Sequence, residues 1–306
     1  MKQKTKIKIG LIYGGPSSEH EVSVRSAEQV KKYLDKNKYL ILPIKISKQG
    51  RWPKNLHPYN LKNKIDIAFI VMHGEYGEDG TIQALLESEN IPYTGSRVLA
   101  SSLAMDKFRS DLIAKSVGLR TPYTNLGSAV DVSKFFDSAI IKPNTGGSSV
   151  GVKLISKSQL KRLVSTHKIN ANEVVQEYIS GVECTVSVIE INGQAKPLPV
   201  IEIVPKSKFY DFKSKYAVGG SEHIIPGRFS KSVIAKLQAQ AKLIHETLGC
   251  RGMSRSDFLI NRQNQIFYLE TNTIPGMTKT SLLPQAAQNI GIQFPELLDL
   301  IVKASL

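Results

Sequence analysis

Cysteine is scarce in this 306-residue chain. Cys184 and Cys250 stand far apart, with no CxxC pair and no histidine at ligand spacing. That excludes a disulfide scaffold and a zinc ribbon, and leaves two inert thiols in a reducing compartment. Long apolar runs are also missing, since none approaches the ~20 residues that cross a bilayer. The basic start, Met1 to Lys8, resembles the n-region of a signal peptide. The apolar stretch behind it, Ile9 to Tyr13, is too short for an h-region and ends in Gly14-Gly15. A cytoplasmic location and no membrane partner are expected. Acidic residues are outnumbered, 26 against 41 Lys and Arg, for a formal charge of +15. The lysines are scattered (Lys2 to Lys8, Lys31 to Lys38, Lys206 to Lys215, Lys231, Lys236) without the interleaved aromatics of a stacking platform. A solvated basic surface, serving in part a phosphate-rich ligand, accounts for the excess better than nucleic acid does. Repeats, low-complexity segments, the P-loop order GxxxxGK[ST] and the dinucleotide fingerprint GxGxxG are all absent.

What remains has the composition of a soluble globular protein, 41% hydrophobic and 22% charged, long enough for two or three domains. Residues 6–13 alternate and then become continuously apolar, as a strand buried on both faces does. Gly14 to Ser18 forms a turn with a serine N-cap for a helix running to Leu34. Tyr39 to Ile46 and Ile65 to Met72 predict two more strands, and Asp79-Gly80 opens a helix ending near Glu89. Strands alternating with helices imply an open α/β sheet, with ligands at the carboxyl ends of its strands. Both Gly14-Gly15 and His73 to Gly77 fall at such ends. Ile91 to Gly95 reads as a boundary. Beyond it the pattern predicts a helix over 106–117, with Phe108, Leu112, Ile113 and Val117 on its apolar face and Gly118 as its stop. Strands follow at 139–143, 150–154 and 173–178, with a helix at 156–165. Asn192-Gly193 is a type I′ hairpin signal, and the helix over 230–248 carries Ile234, Leu237, Ala241, Ile244 and Leu248 on one stripe.

Two segments carry chemistry. Ser256 to Ile260 and Gln265 to Glu270 flank the polar turn Asn261 to Asn264. Folded antiparallel about that turn, they bring Asp257 opposite, or one residue off, Glu270. Period 2 puts Arg255 with Asp257 and Glu270 with Asn272 on shared faces. Facing carboxylates repel unless a cation sits between them, and Mg²⁺ keeps one or two protein carboxylates plus substrate phosphates. In the loop that follows, Gly276 offers an N–H that can approach a ligand closely; with Arg255 it suits a developing oxyanion. The second segment, Lys142 to Gly151, is a Gly/Ser turn between strands. It is either an ordinary tight hairpin or a cover over a triphosphate, with Lys142 and Lys107 supplying charge.

Together these segments resemble the D-alanine–D-alanine ligases of the ATP-grasp superfamily, over essentially the whole chain. The resemblance is carried by Gly14-Gly-Pro-Ser-Ser-Glu-His-Glu-Val-Ser23, His73-Gly-Glu-Tyr-Gly-Glu-Asp-Gly80, Pro92-Tyr-Thr-Gly95 and Met105-Asp-Lys107. Further matches are Lys142-Pro143, Gly147-Ser-Ser-Val-Gly151, Phe209 to Tyr216, Arg255-Ser-Asp257 and Glu270-Thr-Asn-Thr-Ile-Pro-Gly-Met-Thr278.

The resemblance implies an α/β, three-domain ATP-grasp fold. Residues 1–97 would form a Rossmann-like open parallel sheet, 98–180 a central subdomain with the phosphate loop, and 181–306 a C-terminal subdomain with the metal site and a lid at 206–227. It implies ATP-dependent ligation of two D-alanine molecules through a D-alanyl phosphate, for peptidoglycan synthesis. Close alternatives are D-alanine–D-lactate or D-alanine–D-serine ligation, or another carboxylate–amine ligation. Two Mg²⁺ ions, replaceable by Mn²⁺, would be held by Asp257, Glu270 and Asn272. Arg255 and the Gly276 N–H would stabilise the oxyanion. Glu19 would receive the first ammonium in a triad with Ser148 and Tyr216. His73 would line the substrate pocket, and Ser281 and the Leu282 N–H would take the second carboxylate. Lys107, Lys142 and Lys215 would contact phosphates, with Gly147 and Ser149 as loop donors. Gln176, Glu177 and Ile179 would form the adenine hinge and Glu183 would hold the ribose. Relatives often carry an acid where Gln176 stands. Tyr216 favours an amine nucleophile, since depsipeptide-forming relatives tend to lack it. A homodimer through the N-terminal domain is implied as well.

Overall fold

The computed structural model describes residues 5–148, 150–205 and 221–306; Ser149, Lys215, Tyr216 and the 206–220 part of the expected lid lie outside them. β1 (Ile7–Gly14), β2 (Tyr39–Ile46) and β3 (Ile67–Ile70) form a parallel sheet in the order β2-β1-β3. β1 lies in the middle and is covered on both faces, so Ile9, Leu11 and Ile12 are all buried. α1 (His20–Tyr33) crosses from β1 to β2, and α2 (Thr81–Ser88) follows β3. Gly14 takes φ +91°, and a Cβ there would meet the Ile46 carbonyl oxygen at 2.3 Å, so only glycine makes this turn. The expected serine cap is not formed. Glu19 occupies the N-cap position of α1, and its side chain does not cap the helix. Ser17 Oγ instead accepts from Glu19 N (3.1 Å) and donates to His73 O (2.5 Å), tying together the loops after β1 and β3.

β4 (Thr124–Leu126), β5 (Ser138–Pro143), β6 (Lys153–Ser156) and β7 (Glu173–Glu177) build an antiparallel sheet in the order β4-β7-β5-β6. α5 (Lys157–Ser165) covers it and starts in a capping box between Ser156 and Gln159. A larger antiparallel sheet holds β8 (Gly181–Ile191), β9 (Gln194–Pro197), β10 (Ile201–Pro205), β11 (Ser221–Ile224), β12 (Met253–Asn261) and β13 (Ile266–Asn272). Its order is β11-β10-β8-β12-β13, with β9 on β8. Asn192 and Gly193 turn β8 into β9 with φ of 52° and 73°, as a type I′ turn requires. The helix expected over 230–248 is Lys231–Thr247, and Leu237, Ala241 and Ile244 bury against Val186, Phe258 and Tyr268.

The span 98–116 departs most from the sequence pattern. It forms two helices, α3 (Val98–Met105), which the pattern does not predict, and α4 (Lys107–Ser116). The buried face of α4 is mixed: Leu112 of the apolar stripe is 48% exposed and Ile113 and Val117 are only partly buried, whereas Lys107, Ser110, Asp111 and Ala114 are buried. α4 packs on β13, where Ser110 Oγ shares a hydrogen bond of 2.6 Å with the Tyr268 hydroxyl and Lys107 reaches toward Glu270.

Numbering the helices in chain order, the Lys231–Thr247 helix is α6, followed by α7 (Leu282–Asn289) and α8 (Phe294–Lys303). α7 and α8 return to the first sheet, and Leu283, Ala286, Leu298 and Ile301 share one core with Ile9, Ile44 and Phe69. Asp299 of α8 fastens this union, accepting from Tyr39 OH (2.7 Å), Lys38 Nζ (3.1 Å) and Lys303 Nζ (2.7 Å). Burial alone would raise its carboxyl, but these donors outweigh burial and hold it down at about 2. Asp299→Asn should therefore cost about 2 kcal/mol at pH 7. A depressed folded pKa gives stability that is present above the ordinary value of 3.8 and lost as pH falls toward 2. Urea unfolding from pH 7 to pH 3 checks this, and a gap that does not shrink below pH 4 would refute it.

Candidate active site

A cavity of about 640 Å³ opens between the three sheets, lined by Glu19 and His73 from the first, Lys142 and Gln176 from the second, and Arg255, Asp257 and Glu270 from the third. Its floor is a ladder across β8, β12 and β13. Thr185 pairs with Asp257, which pairs with Glu270. Two rungs on, and so on the same face, Ser187 pairs with Arg255, which pairs with Asn272. After Asp257↔Glu270 the register shifts to Phe258↔Tyr268, leaving Leu269 as an extra residue on β13. This bulge sets the two carboxylates opposite one another rather than one residue off.

Like charges directly across a ladder are costly, and each carboxylate has a cation beside it. Arg255 grips Asp257 with Nε and Nη2 at 2.9 and 2.8 Å. Lys107 Nζ lies 3.8 Å from Glu270 Oε2 and donates to Gly146 O at 2.6 Å, which joins the ladder to the phosphate loop. Among the described residues no three His, Cys, Asp or Glu side chains gather as a metal cluster. The set of two carboxylates and the Asn272 amide oxygen is all-oxygen and low in count. It fits a hard cation that takes its remaining ligands from phosphate and water, as Mg²⁺ does.

In the second sheet Lys142 Nζ donates to Gln176 Oε1 (3.0 Å), and Gln176 Nε2 donates to Thr124 Oγ1 (2.9 Å). The Gln176 amide is thus turned toward Lys142 and β4, positioning the lysine. Glu177, Tyr178, Ile179 and Glu183 line the cavity where β7 passes into β8. Ser148, at φ +58°, donates its hydroxyl to the buried carboxylate of Glu19, which joins the phosphate loop to the start of α1. On the far side Gly276 packs so closely that a Cβ would lie 2.6 Å from Ser281 Oγ. Ser281 stands at the N-cap of α7 without a side-chain cap bond. The first N–H groups of α7, from Leu282 on, form the kind of helix end that receives a carboxylate.

Two family models match the chain. The one described as "D-ala D-ala ligase N-terminus" matches residues 8–59 and 54–96, and "D-ala D-ala ligase C-terminus" matches 129–303. The D-alanine–D-alanine ligase of Carboxydothermus hydrogenoformans is 42% identical, with 98% of either chain covered. The chain belongs to the D-alanine–D-alanine ligase family. Its fold is that of the ATP-grasp ligases, with the open parallel sheet at the N-terminal end. The VanG D-Ala:D-Ser ligase from Enterococcus faecalis superposes with a TM-score of 0.83 at 29% identity, covering 99% of this chain and all of that one. The D-alanine–D-alanine ligase from Bacillus anthracis, solved with ATP, gives 0.79 at 31% identity, covering 98% and 97%.

One element of the ligase site has no counterpart among the residues expected from sequence. Glu78 is buried, and its carboxyl accepts from Gly74 N (2.6 Å) and, at 3.2 Å, from Ile274 N, an N–H it shares with Asn272 Oδ1 (2.9 Å). His73 takes the other polar group of Ile274: its Nδ1 is 3.0 Å from the carbonyl oxygen, so Nδ1 bears the proton. His73 Nε2 then accepts from Ser26 Oγ (3.0 Å), and Ser26 Oγ accepts from Met277 N (3.3 Å). Burial lowers the His73 pKa and keeps it neutral. His73 and Glu78 thus hold the Gly276 loop from the first sheet. The only sequence signal for Glu78 is its place in the 73–80 motif, where Glu75 and Asp79 are chemically its equals.

Burial, with the Glu19 charge beside it, pushes Glu78 up to about 8. A raised carboxyl pKa gives stability that is complete below the ordinary 4.5 and is lost as pH rises toward 8. The wild type should therefore lose ground to Glu78→Gln as pH rises from about 5 to about 8. Melting temperatures of both proteins across that range test this, and parallel curves would contradict it.

Proposed function

We propose that this chain joins two D-alanine molecules into D-alanyl-D-alanine, converting ATP to ADP and phosphate through a D-alanyl phosphate. The observation that carries this reading is one cavity holding the cation-flanked Asp257–Glu270 rung alongside the Glu19–Ser148 pair. The first pair of groups suits a nucleotide's phosphates, the second an amino acid's ammonium. Glu19 binds the ammonium of the first D-alanine, with Ser148 and Tyr216 completing a triad, and aims its carboxylate at the γ-phosphoryl group. Lys107, Lys142 and Lys215, with donors from Gly147 and Ser149, neutralise the phosphates. Gln176, Glu177 and Ile179 border the adenine and Glu183 the ribose.

Magnesium, held by Asp257, Glu270 and Asn272 as two ions and replaceable by Mn²⁺, supplies the charge neutralisation that phosphoryl transfer needs. Ser281 and the Leu282 N–H hold the carboxylate of the second D-alanine, whose amine attacks the acyl carbon. A C–N bond forms, the C–O bond to phosphate breaks, and the amine loses a proton. Arg255, whose guanidinium has donors beyond the two on Asp257, and the Gly276 N–H stabilise the tetrahedral oxyanion between those events.

The sheets support a division into units at 1–97, 98–180 and 181–306; of the expected lid over 206–227, residues 221–224 form β11 on the edge of the largest sheet and 206–220 lie outside the described residues. Among the described residues no helix is long and apolar enough to cross a membrane. We place the enzyme in the cytoplasm, supplying peptidoglycan precursors, as a homodimer. A second reading, ligation of D-alanine to D-serine, is favoured by the likeness to VanG. ADP release with D-alanine alone, against D-alanine with D-serine or D-lactate across a pH series, separates them; D-alanine alone should support full turnover. Glu270→Gln should fold normally yet lose metal-dependent ADP release by a factor on the order of 100 or more, as when one transition-state donor is removed. A fully active variant would overturn the metal assignment.

A further inference from the structure

We propose that Thr185 is a positioning residue for the metal-binding carboxylate of Asp257, an inference that rests on the magnesium reading given above. Thr185 is fully buried and occupies the same rung as Asp257 and Glu270, one strand further into the sheet. Its Oγ1 lies 2.6 Å from Asp257 Oδ1 and 3.1 Å from Ser256 O. A hydroxyl has one proton to give. The shorter contact, to an ionised acceptor, takes the larger share.

Three features make this contact a support for the ligand. Thr185 is β-branched, so its χ1 is stiff and the hydroxyl keeps its direction. It is uncharged, so it steadies Asp257 without competing with a cation for it, unlike Arg255, which also bonds that carboxylate. The backbone beneath is fixed too. On the opposite side of the hairpin Ser256 Oγ meets Thr271 Oγ1 (2.9 Å), Tyr268 OH donates to Thr271 Oγ1 (3.0 Å), and Ser110 Oγ meets Tyr268 OH (2.6 Å). This buried hydroxyl chain ends on α4, the helix that carries Lys107. Without the Thr185 hydroxyl, Asp257 keeps its tie to Arg255 but loses its anchor on the strand side, and its oxygens are no longer fixed toward Glu270.

The test is Mn²⁺ binding in the presence of ADP and without D-alanine, read from the electron paramagnetic resonance of free Mn²⁺, so that no turnover is involved. Thr185→Val keeps the shape and removes the hydroxyl; it should weaken Mn²⁺ by about 10–100-fold, the usual loss for a group that orients a ligand. Thr185→Ser, which restores the hydroxyl, should bind close to wild type. In steady state the valine variant should need more Mg²⁺ for half-activation by the same factor, with kcat at saturating Mg²⁺ largely kept. Thr185→Ala serves if the valine variant fails to fold. Wild-type Mn²⁺ affinity in the valine or alanine variant overturns the proposal, as does a serine variant as weak as either. Asp257→Asn separates the two readings. If it binds weakly while Thr185→Val binds normally, only the role of Thr185 falls; if it binds as wild type, the metal assignment falls and takes this proposal with it.

Discussion

Two carboxylates set face to face on one rung of a sheet, Asp257 and Glu270, dictate much of the surrounding structure. At that separation each raises the cost of ionising the other unless positive charge is close. The fold brings positive charge from two directions. Arg255 comes from two rungs along the same strand, and Lys107 from a helix much earlier in the chain. Lys107 gets there because α4 turns the side carrying Lys107, Ser110 and Asp111 inward, and this leaves Leu112 in solvent. The side chain that answers Glu270 also holds the Gly146 carbonyl, so phosphate loop and carboxylate ladder are placed by one lysine.

A second set of contacts holds the first sheet to this ladder. Ile274, two residues past Asn272, shares its N–H between Asn272 and Glu78 and gives its carbonyl to His73. The loop that carries Gly276 is therefore positioned by residues after β3, and Glu19 stands at the start of α1. One part of the cavity lining belongs to the parallel sheet and the rest to the antiparallel ones. A few hydrogen bonds between buried groups set the distance between them. Because both partners of each bond are withdrawn from water, losing either one costs more than an exposed contact would.

Much of this was legible in the sequence wherever the determining contacts are local. The Asn192-Gly193 turn, the place of α5, the stripe of α6 and the facing of Asp257 with Glu270 follow from spacing within a dozen or so residues. What escaped depends on distant partners. The buried face of α4 is chosen by β13, the bulge at Leu269 by the ladder it completes, and the roles of Glu78 and Thr185 by strands that meet them from elsewhere. Ser17 looked like a helix cap because caps are local; a carbonyl 56 residues away took its hydroxyl instead.

The union of the two chain ends in one core has a temporal side. Helices α7 and α8 supply apolar surface that β1 to β3 lack on their own, and Asp299 meets Tyr39 across 260 residues. A chain made from its N-terminus forward cannot complete this core until its last helices have emerged. Through most of synthesis the first sheet waits with apolar surface uncovered, and contacts of such separation form late because the loop they close is long. The first domain to be made is thus among the last to be finished.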